Sequence, residues 1–183
     1  NGLTAVNETP SGAESTKLYA DDIKYLDIRS AEEFGATIEA YSSPDEFDAC
    51  DGTAELADGV NIGQQNRKGF GFCYRSTIGN DTEYNNYGYK LHIIYGLTAA
   101  PSERSYSSVN DSPETATLSW EVSSTPVSVA GFKPTSIVTI NSKKINVEAL
   151  KEIEDALYGT ETVEPKILLP DEIKAICDKH IGG

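Results

Sequence analysis

Apolar and polar residues alternate with a period of two along much of this chain. In Gly35–Tyr41 (GATIEAY), Ala36, Ile38 and Ala40 fall on one side, and Thr37, Glu39 and Tyr41 on the other. Phe70, Phe72 and Tyr74 alternate against Gly71, Cys73 and Arg75. Tyr89, Leu91, Ile93 and Tyr95 alternate against Lys90, His92 and Ile94, and Ala116, Leu118, Trp120 and Val122 against Thr117, Ser119 and Glu121. Such alternation predicts strands with one dry and one wet face, the antiparallel pattern. Ile23–Ile28 (IKYLDI) and Thr135–Ile140 (TSIVTI) are shorter β-branched runs that predict two more. Turn residues separate them: Gly79-Asn80-Asp81, Asn85 to Gly88, and Asn110-Asp111-Ser112-Pro113. The stretch Gly79–Gly88 reads as a ten-residue loop, with Tyr84 and Tyr87 costly to leave bare.

The spacing changes in the last 40 residues. Val147, Leu150, Ile153 and Leu157 recur at helical intervals, with Asn146 placed to cap the start and Gly159 to end it. Pro170–Lys179 (PDEIKAICDK) predicts a second short helix after a Thr/Glu/Pro linker. A third is predicted at Pro44–Ala49, with Ser43 as N-cap and Pro44 at its first position. The first 16 residues carry little apolar periodicity and read as an extended arm. The division is an arm over 1–16, a β domain over 17–142 and a helical extension over 143–183.

Composition narrows the function. The formal charge is −14, from 29 acids and 15 bases, so electrostatic capture of nucleic acid is not expected. No run of 18 apolar residues is present. The opening NGLTAVNETPSGAE lacks the basic start and apolar stretch of a signal peptide, and the absence of Met suggests a missing initiator. Cys50, Cys73 and Cys177 are odd in number and far apart, which argues for a reducing compartment. The sequons at Asn7, Asn80 and Asn110 read as chance matches in turn-rich sequence.

Motifs for catalysis are lacking. His92 and His180 have no HExxH-type partner, and neither GxSxG nor GxxxxGK[ST] occurs. No catalytic, cofactor or metal residue is expected, and no enzyme. Asp45, Glu46, Asp48, Asp51, Glu55 and Asp58 form an acidic stretch without a base, but without the spacing of a calcium loop. Lys68–Tyr74 (KGFGFCY) approaches an RNA-binding strand signature, yet Cys73 replaces its Val and Arg75 holds its final aromatic position. The plainer reading is a strand whose glycine lets another group approach closely.

Five stretches in order carry a resemblance. They are KLYADDIKYL (Lys17–Leu26), FGATIEAYSSPDEFDACDG (Phe34–Gly52), GQQNRKGFGFCYR (Gly63–Arg75), YGYKLHIIYG (Tyr87–Gly96) and NDSPETATLSWEVSSTPV (Asn110–Val127). Together they resemble the major tail tube proteins of long-tailed bacteriophages over most of residues 3–142. The resemblance implies a mainly β, antiparallel β-sandwich or tail-tube fold with a flanking short helix, the helical C-terminal tail standing apart from the shared core. It implies hexameric rings stacked into the conduit for DNA ejection, located in the virion and in the host cytoplasm during assembly. Its partners would be other copies of itself, tape-measure, tail-terminator and distal tail proteins, and phage DNA passing without specific binding. No membrane, cofactor or metal is implied. Under this reading the candidate lumen acids are Glu39, Asp45, Glu46, Asp48, Asp51, Glu55, Asp58 and Glu121, and the candidate inter-subunit loop is Thr82, Glu83, Tyr84, Asn85, Asn86 and Tyr87. The alternatives are a stand-alone β-sandwich binding or adhesion module, and the tube of a contractile tail or phage-derived bacteriocin.

Overall fold

The computed structural model describes residues 2–104 and 117–180; the turn cluster Asn110–Pro113 and the alternating position Ala116 lie outside the described residues. In chain order the strands are β1 (Leu3–Glu8), β2 (Ser11–Gly12), β3 (Ser15–Ala20), β4 (Ile23–Arg29), β5 (Glu32–Glu33) and β6 (Gly35–Ala40). A 3-10 turn (Asp45–Phe47) and helix α1 (Asp48–Asp51) lead to β7 (Ala54–Ala57) and β8 (Val60–Ile62). The long strands β9 (Phe70–Asn80) and β10 (Tyr84–Ala99) follow, then β11 (Leu118–Ser124), β12 (Ile137–Asn141) and helices α2 (Val147–Tyr158) and α3 (Pro170–Lys179). Strands take 46% of the described residues and helices 17%, so the chain is mainly β with antiparallel sheets. It divides into two compact units, one holding the stretch up to Gly69 with Thr98–Ser124, the other Phe70–Leu97 with the stretch from Thr125.

In the first unit β6 lies between β1 and β11, antiparallel to both. The expected alternation in β6 holds: Ala36, Ile38 and Ala40 are buried. Register sets Trp120 opposite Ile38 and Val122 opposite Ala36, so their side chains share that dry face. Trp120 is 4% exposed, and the Phe47 ring meets it edge-on at 5.1 Å. Residues 3–8, expected within an arm, are extended as β1 and find their partner in β6 of the same chain. The helix expected at Pro44–Ala49 starts later. Pro44 is itself the N-cap of the 3-10 turn, and no side chain caps it, so Ser43 is not the cap. Two hairpins stand beside this sheet as separate ribbons, β3 with β4 and β7 with β8. Asp21 and Asp22 turn the first with positive φ at both residues, the geometry that matches strand twist in a tight hairpin.

In the second unit β10 lies between β9 and β12. Leu91, Ile93 and Tyr95 are buried on one face, with Ile140 of β12. They share a core with Leu150, Ile153 and Leu157 of α2, Leu168, and Ile173 of α3. Residues 143 onward therefore supply half of this core; without them Leu91 and Ile93 would face water at about 1.5–3 kcal/mol each. The caps are those expected. Glu148 N–H donates to Asn146 Oδ1 at 2.8 Å, and Gly159 ends α2. At α3 the Leu169 N–H is taken by Glu172 Oε2 at 2.8 Å.

One face assignment differs from the sequence reading. The side of β9 that packs on this core carries Gly71, Cys73 and Arg75, whereas Phe70, Phe72 and Tyr74 lie on the opposite side and are half-buried. Gly71 is the reason. A Cβ there would stand 2.7 Å from Ile167 Cγ1, so the missing side chain makes room for the α2–α3 linker. Arg75 then reaches α2, with Nη2 donating to Glu154 Oε1 at 2.8 Å between the rings of Tyr89 and Tyr158. Tyr89 O–H also donates to Glu154; burial and that carboxylate push its phenol up to about 12.

Candidate functional site

The wet face of the β1–β6–β11 sheet is the surface on which two of the candidate acids converge. Glu39 stands opposite Ser119, and Glu121 opposite Thr37. The two residues therefore occupy diagonal positions on neighbouring strands, their Cα atoms about 7–8 Å apart in ordinary sheet geometry. Glu39 is half-buried and Glu121 exposed. Around them the register brings Asn7 opposite Thr37 and Ser123 opposite Gly35. The three strands contain no Lys or Arg. Alternation forces this arrangement: the residues between Ala36, Ile38 and Ala40 must point away from the core. The result is a patch of carboxylates, hydroxyls and one amide, with Ala5 and Gly35 among them. It offers a polyanion no cation to grip.

The remaining acids lie elsewhere in the same unit. Asp45, Glu46, Asp48 and Glu55 line an open cleft of about 650 Å³ that also holds Lys68. Asp45, Glu46, Glu55 and Asp58 are exposed, and Asp48 is partly buried. Asp51 differs from them. Its carboxylate is nearly covered and faces Arg67, at 3.4 Å, and Arg104. Arg67 Nη1 also donates to the carbonyls of Ala99 and Ala100. Asp51 is thus a structural anchor that ties α1 to the end of β10, a partnership its place in an acidic run does not disclose. Among the described residues, no group of three or more His, Cys, Asp or Glu is placed to hold a metal ion.

The expected ten-residue loop is mostly strand. Only Asp81–Glu83 lie between β9 and β10. Asn80 explains the tight return, since its Oδ1 accepts the N–H groups of Thr82 and Glu83 at 3.1 and 2.5 Å. The register then shifts between Tyr84 and Gly88, so Asn85, Asn86 and Tyr87 form the irregular part of β10. Tyr84 projects into solvent with positive φ, and the Tyr87 ring lies under the Lys143 ammonium at 4.9 Å.

His92 is held on both sides: Ser76 Oγ lies 2.8 Å from Nε2 and Thr139 Oγ1 3.4 Å from Nδ1, with the ring stacked on Tyr74 at 4.6 Å. His92 is therefore a hydrogen-bonded structural imidazole. His180 pairs with Glu152, Nε2 to Oε2 at 2.8 Å, tying the end of α3 to α2. The three thiols are unpaired, and burial pushes each of them up, away from the reactive thiolate.

What sequence reading missed is apolar. In the β3–β4 hairpin Leu18, Tyr19, Ile23, Tyr25, Leu26 and Ile28 are 45% to 75% exposed, and Leu56, Val60 and Ile62 are bare on β7–β8. Alternation within Lys17–Ile28 was the available signal, but a sequence cannot show that its dry face lacks a partner. No family model matches the chain, and neither does any curated protein or solved structure; the site is read from its own geometry.

Proposed function

We propose that this protein is the repeating subunit of a phage tail tube, a non-enzymatic structural protein. Its rings stack into a conduit with the Glu39–Glu121 sheet face turned toward the passing DNA. The finer fold in this reading is the β-sandwich-like tail-tube fold, with the first unit's sheet as part of the inner wall. The observation that carries the proposal is that face, three strands with carboxylates and hydroxyls and no base. DNA must slide past many copies of any residue in such a wall. One lysine per subunit would be repeated in every ring, and each would displace counterions and add grip. An acidic, hydrated wall removes that friction. The five stretches that resemble tail tube proteins support the same reading, and self-association accounts for large apolar side chains left in water.

The test is the double substitution Glu39→Lys with Glu121→Lys. Both side chains leave the dry face untouched, so subunits should fold and assemble as the parent does. Parent assemblies should release linear DNA freely, and variant assemblies should retain it with a steep salt dependence. Equal, weak retention by both would remove this face from the lumen.

A further inference from the structure

We infer that the turn of the β7–β8 hairpin is a self-modifying site. The Gly59 backbone nitrogen attacks the side-chain carboxyl of Asp58, with Glu55 as the base, and the turn converts to isoaspartate.

The chain carries two Asp-Gly pairs, Asp51-Gly52 and Asp58-Gly59, and the fold treats them oppositely. At the first, the carboxylate is nearly covered and paired with Arg67 and Arg104. Gly52 is buried, and its N–H donates to Asp48 O. A carboxylate held by two guanidiniums stays ionised and cannot turn onto the next nitrogen. At the second pair both residues are exposed. The Asp58 carboxylate has no hydrogen-bond or ion-pair partner among the described residues. Gly59 has φ +73°, and nothing stands within 4 Å of the place a Cβ would take. The approach to its nitrogen is therefore open. Glu55 Oε1 accepts the Gly59 N–H at 3.3 Å, so a carboxylate stands against the proton that the attacking nitrogen must lose.

The step balances within the turn and water. The Gly59 nitrogen bonds to Asp58 Cγ while its proton passes to Glu55. Glu55 returns that proton to the departing hydroxyl of the protonated Asp58 carboxyl, which leaves as water. The product is a five-membered succinimide. Water then opens the ring. Attack at the side-chain carbonyl restores aspartate; attack at the backbone carbonyl leaves the main chain running through the side chain, as isoaspartate. One water is lost and one regained, so composition and charge are unchanged. The main chain, however, gains one carbon inside a two-residue turn. The pairing of Ala57 with Val60 closes that turn and cannot fit the longer link. The hairpin should therefore open and carry Glu55 and Asn61 away from the wall of the acidic cleft.

The experiment ages the full-length protein for weeks at physiological temperature and pH. Samples are then denatured and digested with the endoproteinase that cuts before aspartate but not before isoaspartate. Cutting at Asp51 should persist, while cutting at Asp58 declines. Acid-quenched samples should contain a minor species lighter by one water. In Glu55→Gln the amide oxygen still accepts the Gly59 N–H but is no base. That variant should lose the cut at Asp58 about tenfold more slowly, short of the roughly 100-fold that a well-placed general base supplies. In concentrated urea, where neither carboxylate is held, both pairs should age alike and the substitution should have no effect. Undiminished cutting at Asp58 in the aged native protein would overturn the inference. So would equal loss at Asp51 and Asp58 in the native protein, or a Glu55→Gln variant that ages at the parental rate.

Discussion

Substituting Gly71 by alanine tests why the tail sits where it does. The added Cβ would lie 2.7 Å from Ile167 Cγ1, 3.2 Å from Cγ2 and 3.3 Å from Cβ. Carbon atoms rest at about 3.5–4.0 Å, so the closest contact is about 1 Å too short. Ile167 has little freedom to retreat. It is β-branched, and the chain is pinned on both sides of it. Lys166 N–H donates to Ala156 O at 2.9 Å, and Leu168 O accepts from Tyr95 O–H at 2.9 Å. Overpacking of this kind costs about 1–3 kcal/mol. Alanine recovers about 0.4–1 kcal/mol by restricting the unfolded chain. The net loss should be about 1–2 kcal/mol, read as an earlier midpoint in urea with an unchanged slope. Ile167→Ala removes the obstructing carbons and should itself destabilise. Gly71→Ala combined with Ile167→Ala should cost less than the sum of the single changes by about 1 kcal/mol, well beyond the 0.3–0.5 kcal/mol expected of independent sites. Additive costs would refute the claim that Gly71 exists to seat Ile167.

Three further outcomes follow from named contacts. Trp120→Ala, at the centre of the first unit's dry face and against Phe47, should cost about 3–5 kcal/mol in chemical denaturation; a parental midpoint would place that ring in solvent. Asp51→Asn leaves Arg67 and Arg104 facing a neutral amide and should cost about 1–3 kcal/mol, whereas Asp58→Asn, on an exposed turn, should leave the midpoint unchanged; equal effects would deny Asp51 its anchoring role. Glu152, hydrogen-bonded by His180 and Lys179, and Glu172, held by Lys166 and the Leu169 N–H, titrate below the usual glutamate range. Depressed carboxyls contribute stability that is complete above that range and is lost as pH falls through their lowered values. Acidification should therefore loosen the α2–α3 pair, and Glu172→Gln should flatten the acid limb of melting temperature against pH; an unchanged limb would contradict the assignment.

The parts of the fold legible in the sequence are those whose signals are local. Asn146, Gly159 and Pro170 mark the ends of α2 and α3 because capping is decided within a few residues. Alternation found the dry faces of β6 and β11 because each has one wet side; in β10 it found Leu91, Ile93 and Tyr95 but put Ile94 on a wet face, where it is fully buried. It misjudged β9, where the bulkier set, Phe70, Phe72 and Tyr74, is not the set that packs on the helices. That choice is made by Ile167, nearly a hundred residues away, through a glycine that looks like a gap. Ser43 lost its capping role because Pro44 starts the turn one position later. Of the candidate site, Glu39 and Glu121 could each be placed on a wet face from sequence, but their adjacency depends on the β6–β11 register. Asp51 could not be told from its acidic neighbours, because its partners Arg67 and Arg104 come from distant segments. The short strands β7 and β8 escaped notice, since too few residues alternate there to register a period.

The central claim is that the chain builds a tube, and negative-stain microscopy of the purified protein at rising concentration tests it most directly. The account predicts rings at low concentration and long, uniform tubes with a stain-filled channel at high concentration. Particles that remain monomers at every concentration would contradict it.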